Sequence, residues 1–232
     1  VEAALDAAFR AGGAGGAGYE SIVGSGANAC VLHYVDNAHI IGSDALVLID
    51  AGAEYGLYHG DVTRTYPAGG QFAGAGREVY EIVEAARAAA VAAVRPGAAV
   101  ADVHAAATRV LVEGLIALGA LAGDVDQLMK DEKHKPFYPH QTSHWLGLDV
   151  HDPGDYACDG VSRTLRPGMV LTIEPGLYFR PGHEDTPARL AGIGVRIEDD
   201  VAVTPTGSEV LTRALPTAAD DVAALVRSAR TR

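Results

Sequence analysis

The stretch Ala45-Leu46-Val47-Leu48-Ile49-Asp50-Ala51-Gly52 decides the fold class. Five consecutive apolar residues, then an acid and a small-residue turn, read as a strand covered on both faces that runs out into a loop. A carboxylate at the end of such a strand is expensive to bury unless something compensates its charge. The arrangement returns in the second half, where the apolar run Met169 to Ile173 leads into Glu174-Pro175-Gly176. Each half also supplies a second acid further on, Asp61 in the first and Glu198 in the second, at spacings of 11 and 24 residues. The unequal spacings suggest a duplicated architecture and not a sequence repeat.

Outward from this pair, Val62 to Tyr66 reads as a second strand stopped by Pro67. Residues 76–94 carry Val79, Ile82, Val83, Ala86 and Ala90 at helical spacing and are closed by Pro96-Gly97. Residues 100–118 carry Val103, Ala107, Val110, Leu111, Leu115 and Leu118, and Gly119 ends them. Leu177 to Phe179 and Gly194 to Ile197 read as strands, the latter leading into Glu198-Asp199-Asp200. Helices are expected at residues 1–10, with Leu5 and Phe9 four apart, and at 218–230. The Gly/Ala run 11–18 reads as a flexible connector, and the polar region 123–138 as irregular. No segment reads as an internal boundary, so residues 1–232 are expected to form one α/β (α+β) domain.

The balance of 30 Asp+Glu against 18 Lys+Arg gives a formal charge of −12. It argues against nucleic acid, which takes a basic face, and against anionic lipid. The most apolar helical run, 110–122, is interrupted by Glu113 and is too short to cross a membrane, and no charged-then-apolar leader is visible. Two cysteines, Cys30 and Cys158, are too few for a disulfide scaffold and form no CxxC pair. They fit a reducing compartment, hence an expected cytoplasmic location, although one disulfide between them stays open.

Four acids therefore sit at strand ends or edges: Asp50, Asp61, Glu174 and Glu198. Any one of them alone could be a turn residue facing water. Beside them lies His140-Gln-Thr-Ser-His144-Trp-Leu-Gly-Leu-Asp-Val-His151-Asp152, with three histidines in twelve positions. Together the acids and imidazoles point to metal binding. The segment is rich in strand formers and glycine, and it lacks the helical HExxH pattern, so it reads as strand and turn. His39, His59, His104, His134 and His183 have no such company and read as structural or solvated.

The runs IDAG (49–52), GDVTRTYP (60–67), SHWLGLDVHD (143–152), VLTIEPGLY (170–178) and GIGVRIEDD (192–200) resemble, in that order, the motifs of the aminopeptidase P and prolidase family of dimetal metallopeptidases. Methionine aminopeptidases are more distant relatives. The motifs frame roughly residues 19–215. The resemblance implies the creatinase/methionine aminopeptidase-like pita-bread fold, with two pseudo-symmetric halves and the metals between them. Carried over residue by residue, it puts metal ligands at Asp50, Asp61, His144, Glu174 and Glu198. Asp61 and Glu198 match the bridging carboxylates, Asp50 matches a ligand of one ion, and His144 and Glu174 match ligands of the other. Such an oxygen-rich set with one imidazole favours manganese, with cobalt, iron and zinc as alternatives. Four carboxylates balance two dications.

The implied activity is that of an Xaa-Pro aminopeptidase, in which a hydroxide shared by two dications attacks the scissile carbonyl. Glu174, His33, His151 and Arg196 are the implied catalytic groups, with Glu174 as the proton shuttle. His33, His140, His151, Tyr178 and Arg196 are the implied substrate contacts, and peptides with proline second are the implied partners. Gln141 departs from the glycine that many relatives carry there. A prolidase restricted to dipeptides is the alternative, and a catalytically silent peptide-binding module of the same fold is a third reading. The resemblance also implies a homodimer or homotetramer, and an N-terminal domain that this sequence is expected to lack.

Overall fold

Three strands rich in aliphatic and β-branched residues, Ile22–Ser25 (β1), Leu46–Asp50 (β2) and Thr63–Pro67 (β3), pair antiparallel with β2 in the middle. The computed structural model describes residues 1–230, and Thr231 and Arg232, the end of the expected domain span, lie outside the described residues. Register sets Asp50 opposite Ile22 on one side and Thr63 on the other. The second half supplies Val170–Ile173 (β4), Gly176–Tyr178 (β5), Gly194–Arg196 (β6), Asp199–Val203 (β7) and Ser208–Val210 (β8). Here β7 is central, flanked by β4 and β8, while β5 and β6 form a separate antiparallel pair. Each half thus contributes a three-stranded antiparallel sheet.

The halves meet along β3. The Glu198 N–H donates to the Thr63 carbonyl at 2.9 Å, and Thr65 Oγ1 donates to the Arg196 carbonyl at 3.0 Å. Side chains alternate across such a seam, so Thr63, Thr65, Arg196 and Glu198 face one way while Arg64 and Asp199 face the other.

The helices are Glu2–Ala11 (α1), Gly74–Ala93 (α2), Val100–Ala117 (α3), Val125–Lys130 (α4) and Ala219–Arg230 (α5). Val79, Val83 and Ala86 of α2 and Val103, Leu111 and Leu115 of α3 are fully buried in one cluster with Leu171, Ile173, Leu177, Val195, Ile197 and Val201. Each buried Val, Leu or Ile among them contributes about 1.5–3 kcal/mol of burial free energy, so this shared core fixes the second-half strands against the helix pair. At the start of α3 the Asp102 carboxylate accepts the Ala99 N–H at 3.0 Å, and beyond its end Gly119 adopts φ +75°, a left-handed stop.

Two expectations need correction. The Gly/Ala run 11–18 is no loose connector. Gly16–Ala17 pairs antiparallel with Ala53–Glu54, and Gly15 and Gly18 donate to the carbonyls of Glu54 and Gly52 at 2.9 and 2.8 Å. A Cβ at Gly15 would press on the Glu54 carboxylate at 2.9 Å and one at Gly18 on the His59 ring, so glycine suits both positions. Region 123–138 contains α4, whose N-terminus is capped by Asp124 accepting the Gln127 N–H. Asp199 and Asp200, after Ile197, begin β7. Cys30 is buried, Cys158 is exposed and both are free. No described helix is long and apolar enough to cross a membrane.

Candidate metal centre

A cavity of about 920 Å³ opens between the two halves. Asp50, Asp61, His144, Glu174 and Glu198 all line it, so the five expected ligands share one space. Asp50 leaves the end of β2, Asp61 precedes β3, Glu174 follows β4 and Glu198 precedes β7. The turn after β2 comes so close to the segment before β3 that a Cβ on Gly52 would strike the Gly60 carbonyl. Only glycine lets these two backbone segments, and with them Asp50 and Asp61, come together.

Ligating atoms of Asp61, His144 and Glu198 lie within 4.8 Å of one another. The His144 Nδ1 donates to its neighbour's carbonyl, Trp145 O, at 3.0 Å. That bond orients the ring and turns Nε2 into the cavity, 3.3 Å from Asp61 Oδ2 and 3.6 Å from Glu174 Oε1. Burial pulls the His144 imidazole down, but Asp61 and Glu174 outweigh it and hold it above its ordinary value. Asp50 is tied differently: Arg196 Nη2 donates to its Oδ2 at 2.6 Å, and the Tyr19 hydroxyl lies 2.6 Å from its Oδ1 and 2.5 Å from Asp61 Oδ1. Thr63 Oγ1 donates to Glu198 Oε2 at 2.6 Å, and Asp200 accepts the Asp61 N–H at 3.1 Å.

Without a cation these carboxylates crowd one another. Burial pushes Glu174 up to about 7, and it pushes Glu198 well above its usual range, with Asp61, Glu174 and Asp50 adding to the shift. Burial also raises Asp50, against the pull of Arg196. A set of hard oxygen donors that repel one another, with the His144 Nε2 turned towards them, fits divalent cations.

The remaining expected residues separate into two layers. His33 and His151 are exposed on the cavity wall, and the His151 ring centroid lies 4.2 Å from that of His144. Arg196 also borders the cavity but is 4% exposed, and it bonds to Asp50 and, at 3.0 Å, to the Tyr178 hydroxyl. Tyr178 is buried and outside the cavity lining. His140 spends both ring nitrogens internally, Nδ1 on the Gln141 carbonyl and Nε2 on the Tyr178 hydroxyl, each at 2.8 Å. Burial takes the His140 imidazole down to about 3, so it stays neutral and accepts the tyrosine proton.

Sequence reasoning missed Tyr19, Thr63 and Asp200. Tyr19 lies at the end of a run dominated by Gly and Ala and carries no local signal. Asp200 was visible only as the third member of an acidic run, and its position on the cavity side follows from strand alternation. His104, set aside as structural or solvated, lines the cavity.

The sequence profile of metallopeptidase family M24 matches residues 1–205, and the chain belongs to that family. The Xaa-Pro aminopeptidase of Escherichia coli K12 is 47% identical over 230 residues, covering 99% of this chain and 52% of the relative. The Haemophilus influenzae Xaa-Pro aminopeptidase is 45% identical, covering 88% of this chain and 47% of the relative. Among solved structures, Pseudomonas aeruginosa aminopeptidase PepP superposes with a TM-score of 0.97 at 46% identity, over 100% of this chain and 52% of that one. An Escherichia coli aminopeptidase P variant in complex with substrate gives 0.94 at 47% identity, over 98% and 51%. The fold is therefore the pita-bread fold of these enzymes. The chain spans about half the length of the relatives it matches.

Proposed function

We propose that this chain carries the catalytic centre of an Xaa-Pro aminopeptidase, hydrolysing the bond between an N-terminal residue and a following proline. The observation that carries the reading is the convergence of four carboxylates and the His144 Nε2 in one cavity between the sheets. It is supported by M24 relatives named Xaa-Pro aminopeptidase that align with nearly the whole chain. Asp61 and Glu198 would be shared by two divalent ions, Asp50 completing one and His144 with Glu174 the other. Bound there, the ions would supply Lewis acidity and bring water's pKa towards neutrality. Manganese is the proposed metal, since the donor set is mostly hard oxygen.

The chain's own residues supply the rest. Glu174 borders the cavity beside His144 and is the group proposed to carry a proton from attacking water to the leaving nitrogen. His151 and His33, on the cavity wall, can hydrogen-bond the substrate. Arg196, bonded to Asp50 and Tyr178, orients Asp50 and forms a cationic wall. Proline offers no N–H to recognise, so selectivity rests on fit to its ring. Val35, Val150 and Tyr156 give the cavity an apolar side for that purpose. Two free cysteines support the cytoplasm as the compartment.

The test is turnover by the full-length protein with Mn²⁺, comparing an Xaa-Pro-Yaa tripeptide, an Xaa-Pro dipeptide and a tripeptide without proline. Cleavage of the proline tripeptide is expected. Cleavage of the dipeptide alone would mean a prolidase, and no turnover with Mn²⁺ bound would mean a silent binding module.

A further inference from the structure

Beneath His140, His144 and Glu174 lies a second polar cluster that the reaction outlined above does not use. Thr142 is 0% exposed and sits between the two histidines. Its carbonyl accepts the Glu174 N–H at 2.8 Å, which holds the backbone of residues 142–146 alongside β4. Its hydroxyl lies 2.8 Å from His104 Nδ1 on α3 and 2.7 Å from the buried Tyr138 hydroxyl. Its backbone N–H also points at His104 Nδ1, at 3.3 Å.

These contacts have one consistent direction. A backbone N–H can only donate, so His104 Nδ1 is an acceptor and carries no proton. The Thr142 hydroxyl therefore donates to Nδ1, and its oxygen accepts from Tyr138. The His104 proton sits on Nε2, near Thr108 Oγ1, which itself donates to the His104 carbonyl at 2.8 Å. Burial takes the His104 imidazole down to about 4, which keeps it in this neutral form at ordinary pH. Both donors of Thr142 thus end on one nitrogen anchored in a helix of the main core. Tyr138 also meets the His140 ring edge-on at 4.9 Å, so the same cluster braces His140.

We infer that Thr142, gripped by His104 and Tyr138, is a positioning residue that sets the backbone from which His140, His144 and Glu174 reach into the cavity. The inference rests on the dimetal reading above. Outer groups that orient metal ligands typically govern about 10–100-fold in metal affinity. Thr142→Val would keep the shape and remove the hydroxyl, leaving Tyr138 without that partner and His104 Nδ1 with only the backbone N–H at 3.3 Å.

The experiment is Mn²⁺ titration by calorimetry of the full-length wild type and of Thr142→Val, Thr142→Ser, His104→Leu and His104→Asn, with urea unfolding in chelator measured separately. T142V and H104L should weaken the Mn²⁺ Kd by about 10-fold or more, while T142S and H104N, which restore a hydroxyl and an acceptor, stay within about threefold of wild type. Tripeptide kinetics should show the loss in kcat more than in KM. If T142V is recovered unfolded, the H104L and H104N pair decides the matter. Wild-type Mn²⁺ affinity in H104L, whatever its stability, would overturn the inference and make the cluster ordinary core. A wild-type protein that binds no Mn²⁺ would overturn the dimetal reading and this inference with it.

Discussion

Two buried charge clusters lie back to back on the seam between the halves, and they solve the same problem in opposite ways. On the back face, Arg64 and Arg87 meet Asp199 at 2.7 and 2.9 Å, and Glu84 meets Arg87 at 2.8 Å. All five Arg64 N–H groups find acceptors: Pro216, Leu215, Thr63 and Glu198 carbonyls and the Asp199 carboxylate. Two guanidiniums face two carboxylates, so the cluster is neutral by itself. On the front face four carboxylates face one guanidinium, Arg196; burial drives Glu174 and Glu198 towards protonation, and the neighbouring carboxylates add to the shift. Adjacent residues, Glu198 and Asp199, belong to different clusters because a strand sends successive side chains to opposite faces. A self-neutralised cluster stabilises; a cluster left anionic is built to hold a cation.

The sharpest way to break this contrast is Asp61→Asn. Loss of a shared ligand should lower kcat/KM by about 10³-fold or more, since metal catalysis supplies several kcal/mol. In chelator the same variant should unfold no earlier than wild type, because one of the mutually repelling charges is gone. Substantial turnover in D61N would remove Asp61 from the shared-ligand role. Asp199→Ala should do the reverse. Leaving two buried guanidiniums short of a partner should cost about 3–5 kcal/mol of stability. The Mn²⁺ Kd should stay close to wild type. A large change in Kd with little loss of stability would mean that the two faces are not separate.

Chelation tests the front cluster alone. Removing bound metal should lower stability by about 2–3 kcal/mol at saturating occupancy, or several degrees of Tm in a domain of this size. The pH dependence has a definite sign. Glu174 in the cation-free protein sits at about 7, above its value in the unfolded chain. The native state therefore holds its proton more tightly, and the chelated protein loses stability as pH rises from the ordinary glutamate range through about 7. Chelation should cost more at pH 8 than at pH 5. A chelated protein whose Tm is flat or rises across that range would sever the link between crowded carboxylates and the need for a cation.

Much of the front cluster was legible in the sequence, because acids at the ends of apolar strands and closely spaced histidines are local signals. The inner strands were legible as apolar runs ending at acids or proline, whereas the short edge strands β1 and β8 were not read, and the long helices were legible through period-3.6 patterning. The back cluster was not. Nothing near Arg64 marks Asp199, 135 residues away, and nothing in the run Glu198-Asp199-Asp200 says which of its acids face which way until β7 is known to begin inside it. The segment 11–18 was misread because a Gly/Ala composition signals flexibility, whereas its hydrogen bonds to the turn after β2 are made by backbone. His104 was passed over because its partner Thr142 is 38 residues distant and the hydroxyl carries no metal or catalytic signature.

Tyr19 offers the finest test of the comparison, since its neutral hydroxyl is shared by two carboxylates of the anionic cluster. Its hydroxyl lies between Asp50 Oδ1 and Asp61 Oδ1, so a single proton serves two carboxylates that would otherwise repel. Burial, then the charges of Asp50 and Asp61, hold that phenol well above its ordinary value, so it remains a donor. In the absence of metal it does in part what a cation would do more fully. Tyr19→Phe should therefore destabilise the chelated protein by about 1–2 kcal/mol, the cost of an unmet buried hydrogen bond. The Mn²⁺-loaded protein should lose less, because metal ligation then takes over those oxygens. The measurement is urea unfolding of both forms, wild type against Y19F. Equal losses in the two states would make Tyr19 an ordinary buried hydrogen bond, indifferent to whether the front cluster is neutralised, and would leave the contrast between the faces resting on the carboxylates alone.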